Sequence, residues 1–133
     1  MLQQDYIMRL IREFFAALQR LLEKNEVEDK TKALHEMYEQ YLGPYEFYQG
    51  ASMDEVMQSF EKFPEEQRIH RMEMLAELYY VESDMRALPF KDILLQRALP
   101  LFEWIDHHSG VYSFDRLHKI DDIKKQLNER QHS

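Results

Sequence analysis

The chain has 133 residues, 25 of them acidic and 17 basic, and a formal net charge of −8. That length encloses one hydrophobic core, and the charge repels nucleic-acid phosphate and anionic lipid. There is no cysteine, which excludes disulfides, thiolate nucleophiles and cysteine-based zinc or iron–sulfur sites.

Three glycines and four prolines leave long unbroken segments, which favours helices over a many-turned β fold. Ile7, Leu10, Ile11, Phe14, Phe15, Leu18, Leu21 and Leu22 recur at helical spacing and predict a first helix over Gln3 to Lys24. Arg9, Arg12, Glu13, Gln19, Arg20 and Glu23 take its other face, and Asp5 suits the positive end of the helix dipole. The stripe is wide and rich in large side chains. It docks on the chain's own core, or leaves an edge for a partner or a second copy.

The charged stretch NEVEDKTK predicts a turn. A second helix is expected from Lys30 to Leu42, with Ala33, Leu34, Met37, Tyr38, Tyr41 and Leu42 inward and Gly43-Pro44 as its stop. Its short link makes it the antiparallel neighbour of the first helix. Tyr45, Phe47 and Tyr48 then form a mini-core or line a groove. Ser52 and Glu55 match a capping box and open a short helix with Val56, Met57 and Phe60 apolar. Pro64, Glu65 and Glu66 read as a new helix start.

The stretch Gln67 to Ala87 organises the rest. Wound as a helix, it puts Ile69, Met72, Ala76, Tyr79 and Tyr80 on one flank and Met74, Leu75, Leu78, Val81 and Met85 on the other. A helix apolar on both flanks must be covered on both. Ser83-Asp84 and Leu88-Pro89 mark its end. Another helix follows from Phe90 to His107, with Phe90, Leu94, Ala98, Leu101 and Ile105 in one stripe, Leu95, Leu99 and Phe102 beside it, and a kink at Pro100. Ser113 caps the last helix, where Phe114, Leu117, Ile120, Ile123 and Leu127 alternate with charge, and residues from Gln126 onward fray. No linker or second-domain boundary is visible.

Two resemblances enter here. Gln4, Asp5, Tyr6, Met8, Arg9 and Ile11 give the opening a Q-D-Y-x-M-R-x-I pattern. It resembles the N-terminal helix of an uncharacterised bacterial family of unknown function with a tetratricopeptide-like helical region. The resemblance covers about one sixth of the chain and implies no activity and no catalytic residue. Leu75-Ala76, Tyr79 and Ala98 resemble the two helices of one tetratricopeptide repeat, which implies helix-hairpin packing through small side chains. The chain departs from that pattern in about three extra residues between the helices, in Lys91 where a small residue is usual, and in Pro100. No second copy appears at a spacing of about 34 residues.

Candidate chemistry is sparse. Glu103 and His107 stand one turn apart and could share a metal, but a site needs a third ligand, and a polar helix end explains the His107-His108 pair. His35-Glu36 begins like a zincin motif, but Glu39 stands where it needs a histidine, so His35 and Glu39 read as a surface pair. His70, His118 and His132 have no evident partner. The serines lack a base or a strained turn, and Gly43, Gly50 and Gly110 are too far apart for a phosphate loop. The one enzyme-like constellation is a pocket around Glu77 with Tyr79 or Tyr80. Glu77, Glu82 and Asp84 sit on the helix expected to be buried and need partners, for which Arg71 and Arg86 are the nearest cations.

The expectation is an all-α single domain over residues 1–133, with five or six antiparallel helices and tetratricopeptide-like hairpin packing in the second half. Catalytic, cofactor and metal residues are all assigned as none. The functional expectation is a non-enzymatic interaction or scaffold module, with a protein partner or a homodimer formed through the N-terminal helix. The alternative is a small-molecule or enzymatic pocket near Glu77, Tyr79 and Tyr80. No stretch reaches the ~18 apolar residues of a membrane span, charges interrupt the N-terminal apolar run where a signal peptide would be continuous, and a cytoplasmic setting without membrane or nucleic-acid binding follows as the default.

Overall fold

The computed structural model describes residues 2–131, with side-chain surroundings from Gln4 onward. It is all-α. Among the described residues there are seven α-helices and one 3₁₀ turn: α1 Leu2–Glu23, α2 Val27–Tyr41, α3 Tyr45–Gly50, α4 Met53–Ser59 followed by the 3₁₀ turn Phe60–Lys62, α5 Glu65–Asp84, α6 Phe90–His108 and α7 Phe114–Gln131. The count exceeds the expected five or six because Tyr45–Gly50 closes a helical turn of its own. The chain divides inside α5, between Met74 and Leu75, into two compact units. No linker separates them, since α5 is continuous across the division.

In the first unit, Ile7, Leu10, Phe14, Leu18 and Leu21 of α1 are buried. A three-residue link leads to α2, which starts at Val27 rather than Lys30. The charged stretch therefore belongs mostly to the helix, and Glu28 and Asp29 sit in its first turn, where the dipole favours acids. Phe14 meets Tyr41 edge to face at 5.2 Å. Tyr41 is the last residue of α2, so this contact requires α2 to run back along α1. Gly43 ends the helix at φ +156. A Cβ there would lie 2.8 Å from the Lys62 ammonium and 3.1 Å from the Tyr48 hydroxyl, so a glycine is needed for space as well as for conformation. Around α3, Tyr48 is fully buried and Tyr45 and Phe47 are half-buried. Tyr38 meets Tyr45 at 5.0 Å and Tyr48 at 6.1 Å, which makes this segment a mini-core. Ser52 and Glu55 form the capping box in both directions, at 3.1 and 3.2 Å.

α5 is buried on both flanks. Met72, Ala76 and Tyr79 are covered on one, Met74, Leu75 and Leu78 on the other, and Ile69, Tyr80, Val81 and Met85 are half-buried. In the second unit, ion pairs fix how α6 and α7 run. Arg116 near the start of α7 pairs with Asp106 near the end of α6 (3.0 Å), Lys124 with Glu103 (3.4 Å), and Arg130 near the end of α7 with Asp92 near the start of α6 (2.5 Å). The order is inverted, so the two helices are antiparallel. Glu77 pairs with Lys119 and Tyr80 with Asp122, an ascending order that sets the second half of α5 parallel to α7.

Several expectations need correction. Phe90 on α6 and Phe114 on α7 are exposed, and Asp84 is exposed rather than buried; on α1, Phe15 and Leu22 form an uncovered edge, one of the two readings of its wide stripe. α7 stays helical to Gln131 because Arg130 is tied to Asp92; His132 lies outside the described residues. The Ser113 cap is present, with its hydroxyl accepting from the Arg116 amide at 3.1 Å.

Candidate functional site

The Glu77–Tyr80 region is a packed polar cluster. Glu77 is 4% exposed, because its turn of α5 faces α7. Neither arginine supplies its partner. The Lys119 ammonium contacts both carboxylate oxygens, Oε2 at 2.7 Å, and also Asp115 at 2.7 Å. Burial alone would lower the Lys119 pKa, but Glu77 and Asp115 outweigh it and the net shift is upward. The Tyr80 hydroxyl donates to Asp122 at 2.5 Å. Burial raises its pKa most, and the Asp122 carboxylate raises it further. Tyr79 is fully buried, with Arg97 donating to its hydroxyl at 3.4 Å. Each carboxylate and phenol of the region is thus engaged: Glu77 by Lys119, Tyr79 by Arg97 and Tyr80 by Asp122. Lys119 and Asp122 join the cluster through pairs that span 42 residues, which local spacing does not reveal, while Asp115 reaches Lys119 within one turn of α7.

Glu82 is buried and pairs with Arg86, one of the two candidate cations, at 3.6 Å. Asp84 instead takes Lys91, at 3.3 Å. Arg71 belongs to a different cluster. It is 8% exposed, its Nε and Nη2 donate to the Gln67 amide oxygen at 3.3 and 2.9 Å, and its Nη1 donates to the Tyr41 carbonyl at 2.6 Å. Its guanidinium lies 4.5 Å from the Phe63 ring centroid. Burial lowers its pKa, opposed by the phenols of Tyr6, Tyr41 and Tyr48. These contacts tie the start of α5 to the end of α2 and describe a structural cation.

The histidine readings resolve locally. Among the described residues no group of three or more metal-capable side chains converges. Glu103 pairs with Lys124, and His107 is exposed. His35 does not pair with Glu39 but stacks on Tyr45 at 3.7 Å. His108 stacks on Trp104 at 4.0 Å, with a 2.8 Å contact from Nδ1 to the Trp104 carbonyl.

Three surface features remain. On α1, Met8 is 50%, Phe15 37% and Leu22 49% exposed. They stand seven residues apart, and with half-buried Ile11 and buried Leu18 they complete a 3–4–3–4 seam. This seam is rotated about 100° from the buried residues Ile7, Phe14 and Leu21 that precede its members. On the outer face of α2, an open groove of about 600 Å³ is lined by Val27, Glu28, Thr31, Lys32, His35, Glu36 and Glu39, which at helical spacing fall into two rows with members four residues apart. A smaller hollow of about 260 Å³ continues it past Ala33 toward Lys24. The sequence periodicity gave no sign of this groove. The α6–α7 turn also shows Val111, Tyr112 and Phe114 to solvent, held by Arg116, which donates to the Val111 carbonyl at 2.5 Å. No described helix is long and apolar enough to cross a membrane. No protein-family model, no curated protein and no solved structure matches this chain.

Proposed function

We propose that this chain is a non-enzymatic helical interaction or scaffold module that self-associates through α1. The observation carrying this reading is the seam of Met8, Phe15 and Leu22, each between a third and a half exposed on a helix whose other apolar face is already covered. A 3–4 repeat is the spacing that another helix fills with knobs into holes. Apolar side chains exposed singly are ordinary, whereas an aligned row marks an interaction face. The commitment of Glu77 and Tyr80 to Lys119 and Asp122 speaks for a structural role of that cluster. Tetratricopeptide-like packing of α5 with α6 belongs to the same reading, supported by the full burial of Ala76, Tyr79 and Ala98.

Light scattering on the full chain over a hundredfold concentration range tests the proposal. The expected result is a mass rising above the 16.3 kDa of one chain, and a return to that mass when Phe15→Glu is introduced with helicity unchanged. A wild-type chain that stays monomeric throughout refutes it.

A further inference from the structure

We infer that the groove on the outer face of α2 receives the α1 seam of a second copy of this chain. The inference rests on the reading of α1 as the associating face and names the surface that this face meets.

Shape comes first. The groove lies between two rows of side chains spaced four residues apart. On a helix such rows form ridges, and the space between them accepts a ridge of another helix. The α1 seam alternates steps of three and four, and packing of three-spaced against four-spaced rows sets two helices at about 20°, nearly side by side. The lengths agree as well. Met8 to Leu22 covers about 21 Å and Val27 to Glu39 about 18 Å at 1.5 Å per residue.

Charge then selects the occupant. From Met8 to Leu22, α1 carries Arg9, Arg12 and Arg20 against Glu13 alone, a net of +2. The groove carries Glu28, Glu36 and Glu39 against Lys32, a net of −2 with His35 neutral. All eight of these charged side chains belong to exposed residues. Apart from these charges, Val27, the Thr31 methyl and the His35 ring, flat against Tyr45, give one side of the groove apolar surface for Met8, Phe15 and Leu22. An α1–α1 pairing lacks this match, because it sets a positive segment against itself. Opposite potentials across a contact raise its on-rate and reject wrong registers.

The test uses two charge-reversed forms of the full chain. One carries Arg9→Glu, Arg12→Glu and Arg20→Glu; the other carries Glu28→Lys, Glu36→Lys and Glu39→Lys. Circular dichroism checks that each keeps its helicity, and light scattering reads association at fixed salt. Each form alone is expected to associate at least about tenfold more weakly than wild type, because like charges now face each other. An equimolar mixture is expected to recover association, since each reversed face then meets its complement. If the α2 form associates as wild type does while the α1 form does not, the groove is the wrong receptor and self-association through α1 stands. A mixture that stays monomeric also overturns the pairing. A wild-type chain that never associates removes the α1 reading itself.

Discussion

Lys119→Met puts the Glu77 cluster under direct strain. The substitution keeps the aliphatic stem and removes the ammonium that contacts both oxygens of a carboxylate only 4% exposed. Breaking a buried pair from one side costs about 3–5 kcal/mol. Two features hold the cost to the low end. The Lys119 side chain is 18% exposed, so water enters where the ammonium leaves. The carboxylate left behind also has an escape: protonating an ordinary glutamate at pH 7 costs about 3.7 kcal/mol, which caps the penalty, and at pH 5 the same step costs about 1 kcal/mol. Urea denaturation of the full chain should therefore show a deficit of about 3 kcal/mol at pH 7, shrinking to about 1 kcal/mol at pH 5, with an unchanged m-value. Adding Glu77→Gln to Lys119→Met should return about half of the pH 7 loss, because the uncompensated charge is gone. A deficit below about 1 kcal/mol at pH 7, or one that does not change with pH, would show that water already solvates Glu77 and that the pair is no more than a surface contact.

Three further outcomes are expected. Gly43→Ala should cost about 1–3 kcal/mol, since φ is +156 and the added methyl meets the Lys62 ammonium and the Tyr48 hydroxyl; a thermal midpoint within one degree of wild type would contradict this. Ser52→Ala should cost about 1 kcal/mol through loss of the capping box, and Ser52→Asp should restore most of it. The third concerns alkali. Tyr41, Tyr80 and Lys119 all have pKa values raised in the folded state, so their contribution is complete below about pH 10 and is lost as pH rises through the folded values. Urea midpoints measured from pH 8 to 11 should fall above pH 10, and less steeply in Tyr80→Phe; an unchanged slope in that variant would exclude Tyr80 as a contributor.

The legible part of the fold is local. Ser52 and Ser113 declare themselves as caps because a cap needs only the next three residues. The burial of both flanks of α5 around Met72–Tyr79 follows from composition at helical spacing, although the helix stops at Asp84, short of Ala87. Val27 was missed as a helix start because NEVEDKTK is polar enough to pass for a turn; the first-turn acids that make it look like one are what the helix dipole favours. The partner of Glu77 is a tertiary fact, held 42 residues away. Arg71 and Arg86 were the nearer cations, but Arg71 points into the Gln67–Tyr41 cluster instead. The exposure of Phe90 and Phe114 is hidden for a related reason. Periodicity reports the width of an apolar arc, and only the neighbouring elements decide how much of that width they cover.

On α1 that distinction has a measurable consequence. Ile7, Phe14 and Leu21 lie under the first unit's own chain, while Met8, Phe15 and Leu22 lie one residue further round and remain a third to a half exposed. If the second row served the monomer's fold, making it polar would destabilise the monomer; if it serves an interface, the monomer should tolerate the change. Met8→Gln, Phe15→Gln and Leu22→Gln together should therefore leave the urea-derived stability of dilute protein within about 1.5 kcal/mol of wild type, since surface substitutions outside special features each stay near 0.5 kcal/mol. Phe15 contributes most of that allowance through its edge contact with Phe14 at 5.2 Å. Concentrated protein should respond differently, losing the extra stability that mass action confers on any self-associating fold. A triple variant that unfolds readily when dilute would place the second row in the monomer's own core and leave α1 with no face to offer another chain.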